Sequence, residues 1–319
     1  MKLYVSASPH VRDTASTRRI MTDVSLALLP AVIASYFIFG ARALATVFVS
    51  VAACVLFEYL ALKAMKRDTK AAFDMSAVVT GILLAFNVPA GIPIWMVILG
   101  AFFAVVFCKQ MFGGIGDNFV NPAIAARAIL MISFPAHMTD FVIRSNLVQP
   151  GPAIPYDMVS MPTTLVLIEQ GGQVPSLLDQ FLGVKAGVLG EVSIVALLIG
   201  AAYLLIRRVI DLWIPLTFIG TTLIFVGLNG QNVLYHLLSG GLVLGAFFMA
   251  TDYVTSPITR NGKIIFGIGC GLITGLIRIF GSSPEGVSFA ILFMNVLTPH
   301  INNWTRQKPI GGRVNVAKE

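Results

Sequence analysis

Apolar runs of bilayer length recur along the chain, separated by short polar breaks. They fall at about 23–40, 43–62, 73–89, 92–112, 119–134, 186–206, 211–228, 233–251, 264–280 and 286–304. Runs of roughly 17–22 residues are what a ~30 Å hydrocarbon core demands of a helix. The pattern therefore predicts an all-α polytopic membrane protein with about ten transmembrane helices. The third and fifth runs are short and interrupted, which predicts broken or re-entrant helices there. The expected layout is an N-terminal arm at 1–22, a first membrane half of five spans at 23–134 and a loop at 135–185. A second half of five spans at 186–304 and a tail at 305–319 follow.

Composition strengthens this picture. Mean hydropathy is +0.84, and 56% of residues are hydrophobic against 12% charged. No polar stretch outside the mid-chain loop is long enough to bury a soluble core. The arm holding Lys2, Arg12, Arg18 and Arg19 runs directly into a full-length span. With no small-residue cleavage site behind a short apolar core, it does not read as a secretory signal.

The net charge of +7 raises nucleic acid as a partner, but its distribution is topological. Seventeen Lys and Arg fall on the side of both termini, among them Lys63, Lys66, Arg67, Lys109, Arg207 and Lys263. The opposite side collects Arg42, Arg144 and Lys185. The positive-inside rule then places both termini in the cytoplasm and residues 135–185 in the periplasm or the extracellular space. Nucleic acid is not implied; the partner is the lipid bilayer.

Spans three to five resemble spans eight to ten. Residues 76–87, from Ser76 to Asn87, lie against 240–251, from Gly240 to Thr251, and Lys109-Gln110-Met111-Phe112-Gly113 lies against Arg278-Ile279-Phe280-Gly281. Five spans separate the copies, so they run in opposite senses. That is an inverted repeat, the layout in which paired broken helices build a site near the middle of a membrane.

Several groups carry candidate chemistry. The segment from Gly113 through Gly114, Gly116, Asp117 and Asn121-Pro122 precedes Arg127 inside an apolar run. Gly-rich turns before a helix present N–H groups suited to phosphates, carboxylates or ring carbonyls, or they permit close packing of a re-entrant hairpin. Arg127 within a span needs a partner or a cavity. A flavin or quinone carbonyl, Asp117 or a backbone carbonyl would each serve. Arg278 lies near the outer surface, where snorkelling is the expectation. Glu58 and Asp74 lie toward the cytoplasmic ends of their spans and Glu191 toward an outer end, so no acid marks the midplane and the chain alone reads as an incomplete pump. His236 and His300 fall at opposite ends of their spans, which argues against a shared haem iron. Cys54, Cys108 and Cys270 each stand alone in apolar surroundings, without the spacing of a cluster or zinc site.

The polar loop has its own signal. Asp157, Ser160 and Thr163 stand at three-residue intervals. The same spacing occurs in ordinary turns, but it also matches the sequence at which a flavin transferase esterifies the phosphate of FMN onto a threonine.

Taken over nearly its full length, the chain resembles the D-subunit family of the Rnf ion-translocating ferredoxin:NAD oxidoreductase, and more distantly the B subunit of the sodium-translocating NADH:quinone reductase. The residues that carry the resemblance are Ser8-Pro9-His10 leading to Ala27-Leu28-Leu29-Pro30, the 112–122 stretch with Asn121-Pro122-Ala123, and the loop motif between the fifth and sixth spans. The resemblance implies FMN esterified to Thr163, with Asp157 and Ser160 as the flavin-transfer motif. It also implies a second, non-covalent flavin (riboflavin), for which Arg127, Asn121, Gly114 and Gly116 are the candidates. The implied partners are the other members of the Rnf complex, including the G subunit with its covalent FMN and the A and E membrane subunits, with a flavin transferase for maturation. Met161, Pro162 and Thr164 stand where the family commonly has Gly, Ala and Pro, which leaves Thr164 as an alternative acceptor. The competing reading is a channel or facilitator for a small neutral solute; a structural scaffold is a third. A channel has no use for a flavin anchor.

Overall fold

Capping residues set where the helices begin. Ser16 accepts from the Arg19 N–H at 3.3 Å and starts α1 (Thr17–Phe39), which Gly40 separates from α2 (Ala41–Ala64). The computed structural model describes residues 16–144, 158–191, 193–281 and 285–306. A 3₁₀ turn (Thr69–Phe73) leads through Met75, at φ 71°, into α3 (Ser76–Phe86). At 1.5 Å per residue α3 is only about 16 Å long, half a hydrocarbon core. α4 (Ile94–Phe102) widens into a π-helix over Phe103–Phe107. α5 (Pro122–Ser133) has proline at its first position and Asn121 as its cap, accepting from Ala123 N–H at 3.1 Å and Ile124 N–H at 3.4 Å. Both features are standard helix starts.

The connecting segment holds α6 (Pro135–Met138), the strands β1 (Val142–Arg144) and β2 (Met158–Ser160), α7 (Thr164–Glu169) and α8 (Leu177–Leu182). The strands pair antiparallel, Val142 opposite Ser160. The second half runs α9 (Ile194–Ile206), α10 (Trp213–Leu228), α11 (Val233–Leu238) and α12 (Leu242–Leu244), the last continuing as a π-helix over Gly245–Met249. α13 (Arg260–Phe280) and α14 (Val287–Trp304) complete it. Among the described residues four helical segments are long and apolar enough to cross a membrane, and α3, α5, α9 and α10 are shorter apolar helices. Phe48, Ile132, Ile224 and Leu228 are among the large apolar side chains facing outward, as a lipid-exposed surface requires. The chain is a multi-pass membrane protein. Its basic end carries Arg67, Arg207 and Lys263; its loop end carries the hairpin with α7 and α8.

The same helix pairs pack in both halves. α2 contacts α3 and α4, and α4 contacts α5; α10 contacts α11, α12 and α13, and α13 contacts α14. α1 with α9, and α5 with α14, join the halves through equivalent members. Each half also contains a half-helix entered through a left-handed residue, Met75 at φ 71° and Gly241 at φ 64°. The inverted repeat expected from Lys109 and Arg278 is therefore an arrangement of helices as well as of letters.

Two runs read as continuous spans are not. Residues 233–251 break at Ser239–Gly241. Residues 186–191 are irregular rather than helical: Val188 bridges Pro89, Leu189 N–H donates to Val88 O at 3.2 Å and Gly190 N–H to Phe86 O at 3.1 Å. The reason is the early end of α3, whose last carbonyls need protein donors where no water is available.

Small residues bring α2 and α3 together. Ser50 Oγ donates to Gly81 O at 2.7 Å, and a Cβ at Gly81 would lie 2.6 Å from Val51 Cα. Gly81→Val is expected to cost about 1–3 kcal/mol, the usual penalty of overpacking. Thermal unfolding in detergent would show it as a lowered midpoint; an unchanged midpoint would contradict this contact.

Candidate functional site

The segment that carries Ser160 and Thr163 is built by the short hairpin. Ser160 pairs with Val142, its Oγ donates to Asp140 Oδ1 at 2.5 Å, and Met161 N–H donates to Phe141 O at 2.8 Å. These bonds fix the chain just before Thr163. Asp157 lies outside the described residues. Thr163 has the extended backbone of a helix cap (φ −68°, ψ 159°) before α7, yet its hydroxyl makes no capping bond. Thr163 is 4% exposed and Thr164 3%. Neither Oγ1 has a hydrogen-bond partner among the described residues. A buried hydroxyl without a partner is costly and needs an explanation. Beside this turn is a cleft open to the exterior, lined by Met161, Pro162, Thr164, Leu167, Asp179 and Lys185, among others, but not by Thr163.

A second cluster lies in the interior. Arg127 donates to Asn87 Oδ1 at 3.0 Å and to Glu285 Oε2 at 2.9 Å, and all three residues are buried. The acid paired with Arg127 is therefore Glu285, not Asp117, which packs against Gly113 in the basic-end loop. Asn87 caps the end of α3 by donating to Leu83 O at 2.6 Å. Glu191 and Glu285 line the same small cavity as Arg127, Gly240 and Gly241.

Arg278 does not snorkel. It is 6% exposed and donates to His236 O at 2.6 Å, Ser239 O at 2.8 Å and Gly240 O at 3.3 Å. The break before α12 frees these carbonyls, and a guanidinium satisfies several at once. Lys109 does the equivalent work in the first half. It bonds Ser76 Oγ at 2.6 Å where α3 begins, and pairs with Glu58 at 2.6 Å.

The residues expected to hold a second flavin are not brought together. Asn121 caps α5 and donates to Met249 O at 3.4 Å. It lines a cleft at the basic end of about 780 Å³ of empty space, open at its mouth, with Thr80, Lys109, Asn118, Leu83, Phe247 and Asp252. Arg127 faces the separate small cavity. Gly114 and Gly116, at φ 102° and 103°, lie in the basic-end loop that Arg67 holds through Gly113 O at 2.6 Å, and line neither space. Besides Asn121, the polar groups of the cleft include Asn118, whose buried Oδ1 lacks a partner among the described residues, Thr80, Lys109 and Asp252. Sequence reasoning passed over Asn87, Asn118 and Lys185. Glu285 stood in the turn aligned by the repeat, and that was the available signal. Among the described residues no cluster of three metal-ligating side chains occurs, and Cys54, Cys108 and Cys270 are free and buried.

A family model described as the NQR2, RnfD, RnfE family matches residues 4–311. The D subunit of the Na(+)-translocating ferredoxin:NAD(+) oxidoreductase complex of Acetobacterium woodii is 46% identical, covering 100% of this chain and 98% of that protein. The D subunit of the proton-translocating ferredoxin:NAD(+) oxidoreductase complex of Clostridium ljungdahlii is 40% identical, covering 97% and 96%. The D subunit of the ion-translocating oxidoreductase complex of Escherichia coli (strain SMS-3-5) is 35% identical, covering 98% and 99%.

Proposed function

The chain belongs to the NQR2, RnfD, RnfE family, and from that premise we propose that it is the D-type membrane subunit of an ion-translocating ferredoxin:NAD oxidoreductase complex, carrying FMN esterified to Thr163. Its full-length similarity to the D subunits of complexes named for sodium and for protons supports the complex and leaves the ion open. The observation that carries the flavin assignment is Thr163 itself. It stands in register with Ser160 in the loop, and its hydroxyl, like that of Thr164, is buried with no bonding partner among the described residues. Esterification removes that unmet donor.

The isoalloxazine would supply the electron chemistry; the chain anchors it, shields it and connects it to partners. Ser160, with Asp157 before it, serves the flavin transferase. The other partners are the G subunit, with its own covalent FMN, and the A and E membrane subunits. The complex sits in the bacterial or archaeal cell membrane, with both termini cytoplasmic and the flavin loop outside, the orientation that the distribution of basic residues favours. A non-covalent riboflavin would be held at the basic-end cleft, where Asn118 and Asn121 meet apolar walls and Ile115 brings the Gly114–Gly116 turn to the lining, while Arg127 faces the separate small cavity.

Peptide mass mapping of protein co-expressed with a flavin transferase tests the anchor. The expected result is one FMN ester on the peptide containing Thr163. An unmodified peptide, from cells in which a control flavoprotein is modified, would refute it.

A further inference from the structure

We propose that α8 lies in the bilayer surface at the loop end, with its outward face bound to lipid acyl chains. Its polarity is inverted for a helix in water. Gln180 is 0% exposed: its Nε2 donates to Pro175 O at 3.2 Å, and its Oε1 accepts from Ser239 Oγ at 3.0 Å. Leu178 is 66% exposed and Leu182 52%, with Phe181 at 40% and Leu177 at 37%. At about 100° per residue these four side chains form one stripe roughly 140° wide, and Gln180 falls outside it. A contiguous apolar patch turned outward marks a surface that water does not cover.

Both ends of the helix are fixed by the chain itself. Ser176 Oγ accepts from Asp179 N–H at 3.1 Å, and Gly183, at φ 110°, donates its N–H to Asp179 O at 2.8 Å. α8 packs on α9 and α11. Both of those helices turn large apolar side chains outward, Leu198 and Ile199 on α9 and Leu234 on α11. The stripe on α8 therefore continues the surface that this multi-pass protein presents to lipid. It contains no donor or acceptor. A protein partner's interface ordinarily carries about one hydrogen bond per 100–200 Å², whereas acyl chains need none. The charged residue of the helix, Asp179, lies outside the stripe and lines the open cleft beside α7, so it keeps its water. A short helix with an apolar face down and a charge outside that face is the pattern of an interfacial segment.

Photo-crosslinking in the assembled complex, in native membranes, tests this. A benzophenone amino acid is encoded in place of Leu178 or Leu182. The same group in place of Asp179 gives the water-facing comparison, and in place of Ile199 on α9 the lipid-facing one. Mass spectrometry reads what each position captures. Lipid adducts at Leu178 and Leu182 are expected to match those at Ile199 and to exceed those at Asp179 several-fold. Adducts to another protein chain at Leu178 and Leu182 would assign the stripe to a partner subunit and overturn the inference. Capture no greater than at Asp179, beside abundant lipid adducts at Ile199, would leave the stripe in water and overturn it as well.

Discussion

Arg127→Met is expected to destabilise the membrane core by about 3–5 kcal/mol, the usual consequence of breaking a buried ion pair from one side. Glu285 would lose its only bonded cation among the described residues, and its other oxygen already lacks a partner. Asn87 would lose the donor to its Oδ1 at the end of α3. The damage falls where α3, α5 and the start of α14 meet, so it loosens both halves at once. The double variant Arg127→Met/Glu285→Met is expected to recover much of the loss, because no uncompensated charge remains. Thermal unfolding in detergent, run on both singles and the double, distinguishes the cases. Purely additive losses would mean the two side chains are not coupled as the 2.9 Å contact implies.

Thr163→Val should act in the opposite way, with a large effect on activity and almost none on stability. Valine replaces a hydroxyl with a methyl at nearly the same volume, at a position 4% exposed. The hydroxyl it removes has no partner among the described residues, and such a group typically costs about 1–3 kcal/mol to bury. The unfolding midpoint is therefore expected to stay level or rise. Ferredoxin-driven NAD reduction by the assembled complex is expected to fall to that of a complex lacking this subunit, since the relay has no anchor. Thr164→Val should leave the rate near wild type. A wild-type rate in Thr163→Val would place the electron path elsewhere.

Much of the architecture is legible in the letters because lipid imposes length. The long spans, the shortness of the third and fifth, and the inverted repeat all follow from apolar run lengths and from matching Lys109 with Arg278. The interior of the site is less legible. Arg127 and Glu285 stand 158 residues apart and meet only because α5 packs on α14; in the sequence a ring carbonyl, Asp117 or a backbone carbonyl would serve Arg127 equally well. Arg278 sits close to a helix end, where a long side chain ordinarily reaches water. It turns inward because Ser239–Gly241 break the facing helix and leave carbonyls to satisfy, a fact that the apolar letters of 233–251 conceal. Residues 186–191 have helix-like composition, yet stay irregular to complete the end of α3. In the loop, spacing singles out Thr163, but burial of its hydroxyl and the cleft beside its turn depend on the hairpin and α7 folding back over the membrane part.

The central claim, a covalent flavin on Thr163, is tested most directly by in-gel fluorescence of denatured protein. Wild type, Thr163→Val and Thr164→Val would each be co-expressed with a flavin transferase. Flavin fluorescence is expected in wild type and Thr164→Val and none in Thr163→Val. A dark wild-type band beside a fluorescent control flavoprotein, or fluorescence lost only in Thr164→Val, would contradict it.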